Sequence, residues 1–250
     1  MNSFTASLII FACVFGGALF GLLLHAILPE HHLSKETQDI VKLGMGLVGT
    51  MSALVLGLLV ASAKSSYDAQ STELMQMSAN IALLDRTLAI YGPETKETRT
   101  ILRSAVTRVL GEMWPKDASA TRFAPQSAGG QILYEKIHGL SPQNDTQKSL
   151  KSQALSIAVD LGKTLWLMYE QATISVSTPL LIVLVLWLSA IFVSFGLFAP
   201  FNGTVVSSLF VAALAVSCAI FLILEMYTPY TGLVQISSKP LRAALAQLGQ

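Results

Sequence analysis

The chain has 250 residues, of which 52% are hydrophobic and only 12% charged, with a formal net charge of +1. Charged residues make up about a quarter of an ordinary soluble domain, so this composition excludes one, and near-neutrality without a basic cluster argues against a nucleic-acid partner. The two cysteines, Cys13 and Cys218, lie inside apolar runs and rule out a disulfide framework.

The apolar residues fall into four runs. The first, about Ser7 to Leu28, lacks a basic leader and is too long for a signal peptide. It reads as a retained membrane span. Gly17 and Gly21 form a small-xxx-small pair that admits a close helix neighbour. Pro29 ends the span, and EHHLSKETQDIVK is too short for a domain, so spans one and two form an antiparallel hairpin.

The second run, Leu43 to Ala63, continues without a stop signal to Tyr91, with no Gly or Pro from Leu58 onward. At ~1.5 Å per residue this is one helix of roughly 70 Å. Steps of three and four run along it: Gly46, Gly49, Ala53, Leu56, Val60, Ala63, Tyr67, Gln70, Leu74, Met77, Ile81, Leu84, Leu88, Tyr91. That is the rhythm of a helix packed lengthwise on another. Its upper part carries small residues at every fourth position, Gly49, Ala53, Gly57 and Ala61. Such a face serves close packing in preference to pore lining, although one helix in a ring of identical subunits can do both.

Residues 64–177 read as a helical bundle. Gly92-Pro93 stops the long helix, and Ile101, Leu102, Ala105, Val106, Val109, Leu110 and Met113 give the next helix an apolar face closed by Trp114-Pro115. Lys116 to Gly130 reads as a loop, and Gln131 to His138 as a short helix. Ser141-Pro142 then opens a helix towards Ser177. Its core positions, Leu150, Ala154, Ile157, Leu161, Leu165, Met168 and Ala172, match the Leu74–Tyr91 face and predict antiparallel packing of the two.

Spans three (Leu180 to Ala199) and four (Val205 to Tyr227) flank the tight turn PFNGT, and span four carries a small stripe of Ser208, Ala212, Ala215 and Ala219. The tail ends in an amphipathic segment, Pro240 to Leu248, suited to the bundle or to a membrane surface. The fold class is therefore an all-α integral membrane protein. Its parts are a hairpin over 1–63, the inserted bundle over 64–177, a second hairpin over 178–228 and a tail over 229–250. Four spans place both termini and the bundle on one side. A thin lysine and arginine bias (Lys64, Lys239 and Arg242 against Lys35 and Lys42) assigns that side to the cytoplasm.

Chemistry-bearing motifs are few. No phosphate loop, zinc-type cysteine pair or nucleophile elbow appears, so neither an enzyme nor a cofactor is expected. His25, Glu30, His31 and His32 resemble a metal cluster, but adjacent histidines do not converge easily on one ion, and an interfacial polar turn is the better reading. Glu225 is the only acid within a span. It stands both as a functional candidate and as a side chain near enough the interface to be hydrated. Lys64, at the span exit, would form a basic ring in a symmetric oligomer and draw anions to a pore mouth; alone it is a lysine reaching the interface, paired with Asp68. Asp85 follows Leu84 and is expected to pair with a basic residue on a neighbouring helix.

LPEHHL, GLVGTMSALVLGLLVASAKSSYD, LLDRTLAIYGPETKE and ISSKPLRAALAQLG occur in the order and spacing of a bacterial membrane family, the bestrophin-like domain proteins, which this chain resembles over nearly its whole length. Bestrophins are pentameric anion channels with four spans, cytosolic termini and a pore lined by the second span and its extension. The resemblance implies a homo-oligomeric channel for small anions in the bacterial inner (plasma) membrane, with lipid, inorganic ions and its own copies as partners. Gly46, Gly49, Thr50, Ala53, Gly57, Val60, Ala61 and Lys64 would line the pore, and Tyr67, Asp68 and Glu225 would sit at a gate or interface. The chain departs from bestrophins in lacking an aromatic constriction in span two, and in having Tyr227 where their E-L-D-x-P-F stretch has an acid. The alternative is a non-conducting scaffold or sensor whose bundle binds a protein partner.

Overall fold

The structure, a computed structural model, describes residues 3–29, 33–114, 129–173 and 176–249. Its described elements are all helical: α1 (Ser3–Ile27), α2 (Lys35–Tyr91), α3 (Lys96–Met113), α4 (Gly130–His138), α5 (Asp145–Thr173), α6 (Thr178–Leu197), α7 (Gly203–Met226) and α8 (Lys239–Gln247). Four of them, α1, α2, α6 and α7, are long and apolar enough to cross a membrane. The chain divides into two compact units, Met1–Ser65 with Ser175–Tyr227, and Ser66–Ile174 with Thr228–Gln250. The division falls inside α2, which is unbroken.

In the first unit α1 packs on α6 and α7. Its buried residues Ile10, Val14, Ala18 and Leu22 repeat every four positions and face Leu184, Leu188 and Phe192 of α6 and Leu209, Ala213 and Ile220 of α7. Lipid gives no hydrophobic drive for this pairing, so shape must supply it. The Gly17–Gly21 pair meets the α6 backbone at Ser189 and Val193, and α6 answers with Gly196, which sits against the Ala18 carbonyl and the Leu22 amide. The face that α7 packs inward is not its stripe of small residues but lies one position along from it. Ala213 and Ser217 are buried, whereas Ser208, Ala212 and Ala215 are exposed. Asn202 caps α7, its Oδ1 accepting from the Val205 amide at 2.8 Å, which fixes the PFNGT link as a turn.

Helix α2 starts eight residues before the apolar run, at Lys35, because Ser34 caps it: the Thr37 amide donates to Ser34 Oγ at 3.3 Å. Of the metal-like cluster, His25 is described, its Nδ1 lying 2.8 Å from the Leu197 carbonyl; Glu30, His31 and His32 lie outside the described residues, as does nearly all of the 116–130 loop.

In the second unit every predicted core position of α2 from Gln70 to Tyr91 is buried, and Leu102, Val106, Val109 and Met113 of α3 join them. Helix α5 runs antiparallel to α2. Gln171 near its end donates to Glu73 Oε1 at 2.8 Å, while Gln147 near its start donates to the Tyr91 carbonyl at 3.0 Å. The start of α5 differs from the predicted Ser141-Pro142 opening. Asn144 is the cap, its Oδ1 accepting from the Gln147 amide at 2.8 Å. Gly92, at φ +145°, makes the turn into α3 in a region that side chains disfavour. Thr95 locks this turn by donating to the Leu88 carbonyl at 2.6 Å.

Asp85 is buried and takes a bidentate pair from Arg99 of α3, with both N–O distances 2.7 Å. The bond from Asp85 holds the Arg99 guanidinium still more firmly protonated than usual. The tail lies on this bundle. Leu241, Ala244 and Leu248 are buried in its core, Trp114 Nε1 donates to the Ile236 carbonyl at 3.0 Å, and Arg103 donates to the Leu248 carbonyl at 3.1 Å.

Candidate functional site

The upper part of α2 has the same three-four spacing as its lower part and a different fate. Only Ser52, Leu59 and Ala63 are buried there. Of its most apolar stretch 11% is buried, against 22–33% for the other three spanning helices, so most of this surface has no partner within the chain. At about 100° per residue the exposed residues divide into two stripes. Gly46, Thr50, Ala53, Gly57, Ala61 and Lys64 run down one line, with Val60 beside them. Leu43, Leu47, Met51, Leu54 and Leu58 run down another, about 100° away, and the buried residues take the third side. The leucine stripe suits lipid. The small stripe leaves the backbone bare: a Cβ placed on Gly46 or Gly57 would meet nothing within 4 Å.

Of the candidates on this stripe, Gly46, Thr50, Ala53, Gly57, Val60, Ala61 and Lys64 are exposed, and Gly49 is half-buried against Ile191. Thr50 turns its hydroxyl inward on the helix, donating to the Gly46 carbonyl at 3.0 Å, and so presents its methyl group outward. A cleft of about 690 Å³ opens between α2, α6 and α7, lined by Lys42, Gly46, Gly49, Ile191, Ser208 and Leu209 among others.

The remaining candidates do not form one cluster. Tyr67 is half-buried in the second unit and donates to the Gln235 carbonyl at 3.3 Å, while Asp68 is exposed. Glu225 is 5% exposed, so the hydrated interfacial position open to it from sequence is not the one it takes. Sequence reading passed over Ser62 and Gly196. The Ser62 hydroxyl lies 3.2 Å from the Tyr227 hydroxyl and so ties α2 to the end of α7. A lone serine on an exposed helix face carries no signal for that bond, and Gly196 stands alone in an apolar run without a small partner four residues away.

A family model described as Bestrophin-like domain matches residues 12–241. The chain belongs to the bestrophin-like domain family. Crystal structures of a bacterial bestrophin homologue from Klebsiella pneumoniae, each carrying a point mutation, have the same fold. Three of them superpose with TM-scores of 0.62–0.67 over 95–97% of this chain and 99% of theirs, at 14–15% identity. No functionally curated protein matches the sequence. In this bestrophin-like chain the Tyr227 hydroxyl is the partner of Ser62, a hydrogen bond that joins α2 to the end of α7.

Proposed function

We propose that this bestrophin-like protein is a homo-oligomeric ion channel for small anions, with the small stripe of α2 facing the conduction path. The observation that carries the proposal is the unpartnered line of Gly46, Thr50, Ala53, Gly57 and Ala61 on a helix that buries its other side. A single subunit of four spans has no room for a pore, so a stripe of this kind needs further copies of the chain around it. The fold shared with bacterial bestrophin homologues supports a channel-like role. A pentamer is the assembly that the family resemblance favours, in a bacterial inner membrane with the bundle and termini cytoplasmic. Lys64 at the end of the stripe would form a ring of positive charge that concentrates anions at the mouth.

The test is chloride flux in liposomes containing the purified protein. Flux well above that of empty liposomes is expected, and flux at the empty-liposome level would leave the non-conducting scaffold as the better reading. Gly57→Leu sharpens the test. A Cβ at this position meets nothing within 4 Å, so thermal stability and oligomer size should match wild type while flux falls about tenfold or more. Wild-type flux through Gly57→Leu would move the path away from this stripe.

A further inference from the structure

The cleft between α2, α6 and α7 has two chemically different ends. Its deep end is apolar: Ile191 and Leu209 are buried there, and a Cβ on Gly49 would come within 4.0 Å of Ile191 Cδ1. Its outer end carries hydrogen-bond donors, the Lys42 ammonium, the Gln38 carboxamide and the Thr204 hydroxyl. Thr204 and Val205 stand in the first turn of α7, so the positive end of that 24-residue helix adds to the same charge. Among the described residues of the wall Lys42 is the one charged side chain, and no carboxylate lines it. Lys42 is exposed and makes no ion pair among the described residues.

Helical rise fixes how these ends sit in a membrane. Gln38 to Gly49 covers roughly 16 Å of α2, close to one leaflet, which is half of a hydrocarbon core of ~30 Å. Lys42 is the last charged residue before the apolar run that starts at Leu43. Its ammonium therefore stands at headgroup level, where long basic side chains reach out of the hydrocarbon. The cleft volume of about 690 Å³ falls in the range of ~300–1,000 Å³ that bound small molecules fill. A space one leaflet long, apolar within and cationic at the headgroup level, complements an acyl chain ending in a phosphate. A zwitterionic headgroup would bring a second cation against Lys42, and an anionic one would not. The wall that α2 gives the cleft is turned roughly 70° from its line of small residues and meets that line at Gly46. The occupant and the proposed conduction path therefore use different sides of the helix.

We propose that this cleft binds an anionic phospholipid, with one acyl chain between α2, α6 and α7 and the phosphate against Lys42 and the start of α7. The lipid fills the space that α2 leaves open beside Gly46 and Gly49, and so completes the packing of the first unit.

Native mass spectrometry tests this on full-length protein, purified in mild detergent and given equimolar dioleoylphosphatidylglycerol and dioleoylphosphatidylcholine. One bound lipid per chain should survive, with the phosphatidylglycerol adduct favoured about fivefold. Lys42→Gln should bring that ratio close to one. Lys35→Gln, at the start of the same helix and outside the wall, should keep it. Gly46→Leu should remove the adduct, because the new side chain occupies the cleft. A Cβ there meets nothing within 4 Å, so the unfolding midpoint should stay near wild type. If that variant does not fold, Ser208→Leu, on the α7 wall, carries the same comparison. An equal ratio in wild type, or a preference that survives in Lys42→Gln, overturns the proposal. So does an adduct retained in folded Gly46→Leu or Ser208→Leu. Smaller oligomers in either variant with no lipid lost would make the cleft the seat of a second copy of the chain, which overturns it too.

Discussion

Gly196→Ala is expected to cost about 3 kcal/mol or more and to sharply reduce the recovery of monodisperse protein, although it adds a single methyl group. The new Cβ would press into the Ala18 carbonyl and stand 2.8 Å from the Leu22 amide nitrogen, and both are backbone atoms of a helix that cannot yield locally. Overpacking against flexible side chains costs about 1–3 kcal/mol. Here the whole of α1 must move away from α6, which also loosens the contacts of Ala18, Leu22 and Phe192 in the same interface. Gly21→Ala should behave alike, because its Cβ runs into the Val193 carbonyl. Gly16→Ala is the control: it lies in the same helix, and its Cβ would meet nothing within 4 Å. Thermal unfolding followed by size-exclusion chromatography should rank Gly16→Ala level with wild type and the other two far below. Equal stability of all three would remove the close approach of α1 and α6 as a determinant of the fold.

The second large effect is expected at Asp85. Asp85→Ala deletes both 2.7 Å bonds to Arg99 and the 3.3 Å bond that the Gly249 amide donates to Asp85 Oδ2. It leaves a guanidinium whose side chain is only 19% exposed without its counter-charge. Breaking one side of such a pair costs about 3–5 kcal/mol in a fully buried setting, and the partial exposure of Arg99 places the loss near the lower figure. Replacing both residues, as Asp85→Leu with Arg99→Met, should recover much of it, because the stranded charge is gone. The loss of the Gly249 contact adds a local signature. Protease cleavage near residues 239–249 should become faster in Asp85→Ala than in the double variant at matched stability. An Asp85→Ala midpoint within a degree of wild type would show that the pair contributes little.

The extent to which the sequence reported this arrangement follows from what periodicity measures. The three-four spacing of α2 marks a helix with a stripe, and from Leu74 to Tyr91 that stripe is the core, set off by the polar residues that stand on the other faces of this stretch. Above Ala63 the same spacing says nothing about burial. In an apolar solvent an exposed leucine and a packed leucine are equally comfortable, so Gly46, Ala53 and Gly57 look alike whether they touch a neighbour or none. The buried face of α7 was not legible for the same reason: Ser208–Ala212 and Ala213–Ser217 are both small pairs, and hydropathy does not choose between them. Hydropathy also put the start of the second span at Leu43, since it locates lipid and not helix, whereas Ser34 and the helix-forming run after it set the true beginning at Lys35. Asp85 was legible as one half of a pair, because a charge beside a core position needs a partner. The buried Glu225 and the Ser62–Tyr227 bond were not, since each depends on where a helix end comes to rest. Of the candidate pore stripe, the residues were readable and their exposure was not.

The order in which the ribosome delivers these parts has a consequence for biogenesis. Helix α1 leaves the ribosome with its glycines bare, and its partners α6 and α7 begin at Thr178 and Gly203, more than 150 residues later. Throughout that interval the first two spans sit in the bilayer with an interface waiting to be filled. The bundle waits longer still, because Ile236, Leu241, Ala244 and Leu248 belong to its core and emerge after the last span. Contacts of such long sequence separation form late, so this chain is exposed during synthesis to membrane quality control, and substitutions at Gly21 or Gly196 should shorten its lifetime in the cell before they are ever measured as a loss of activity.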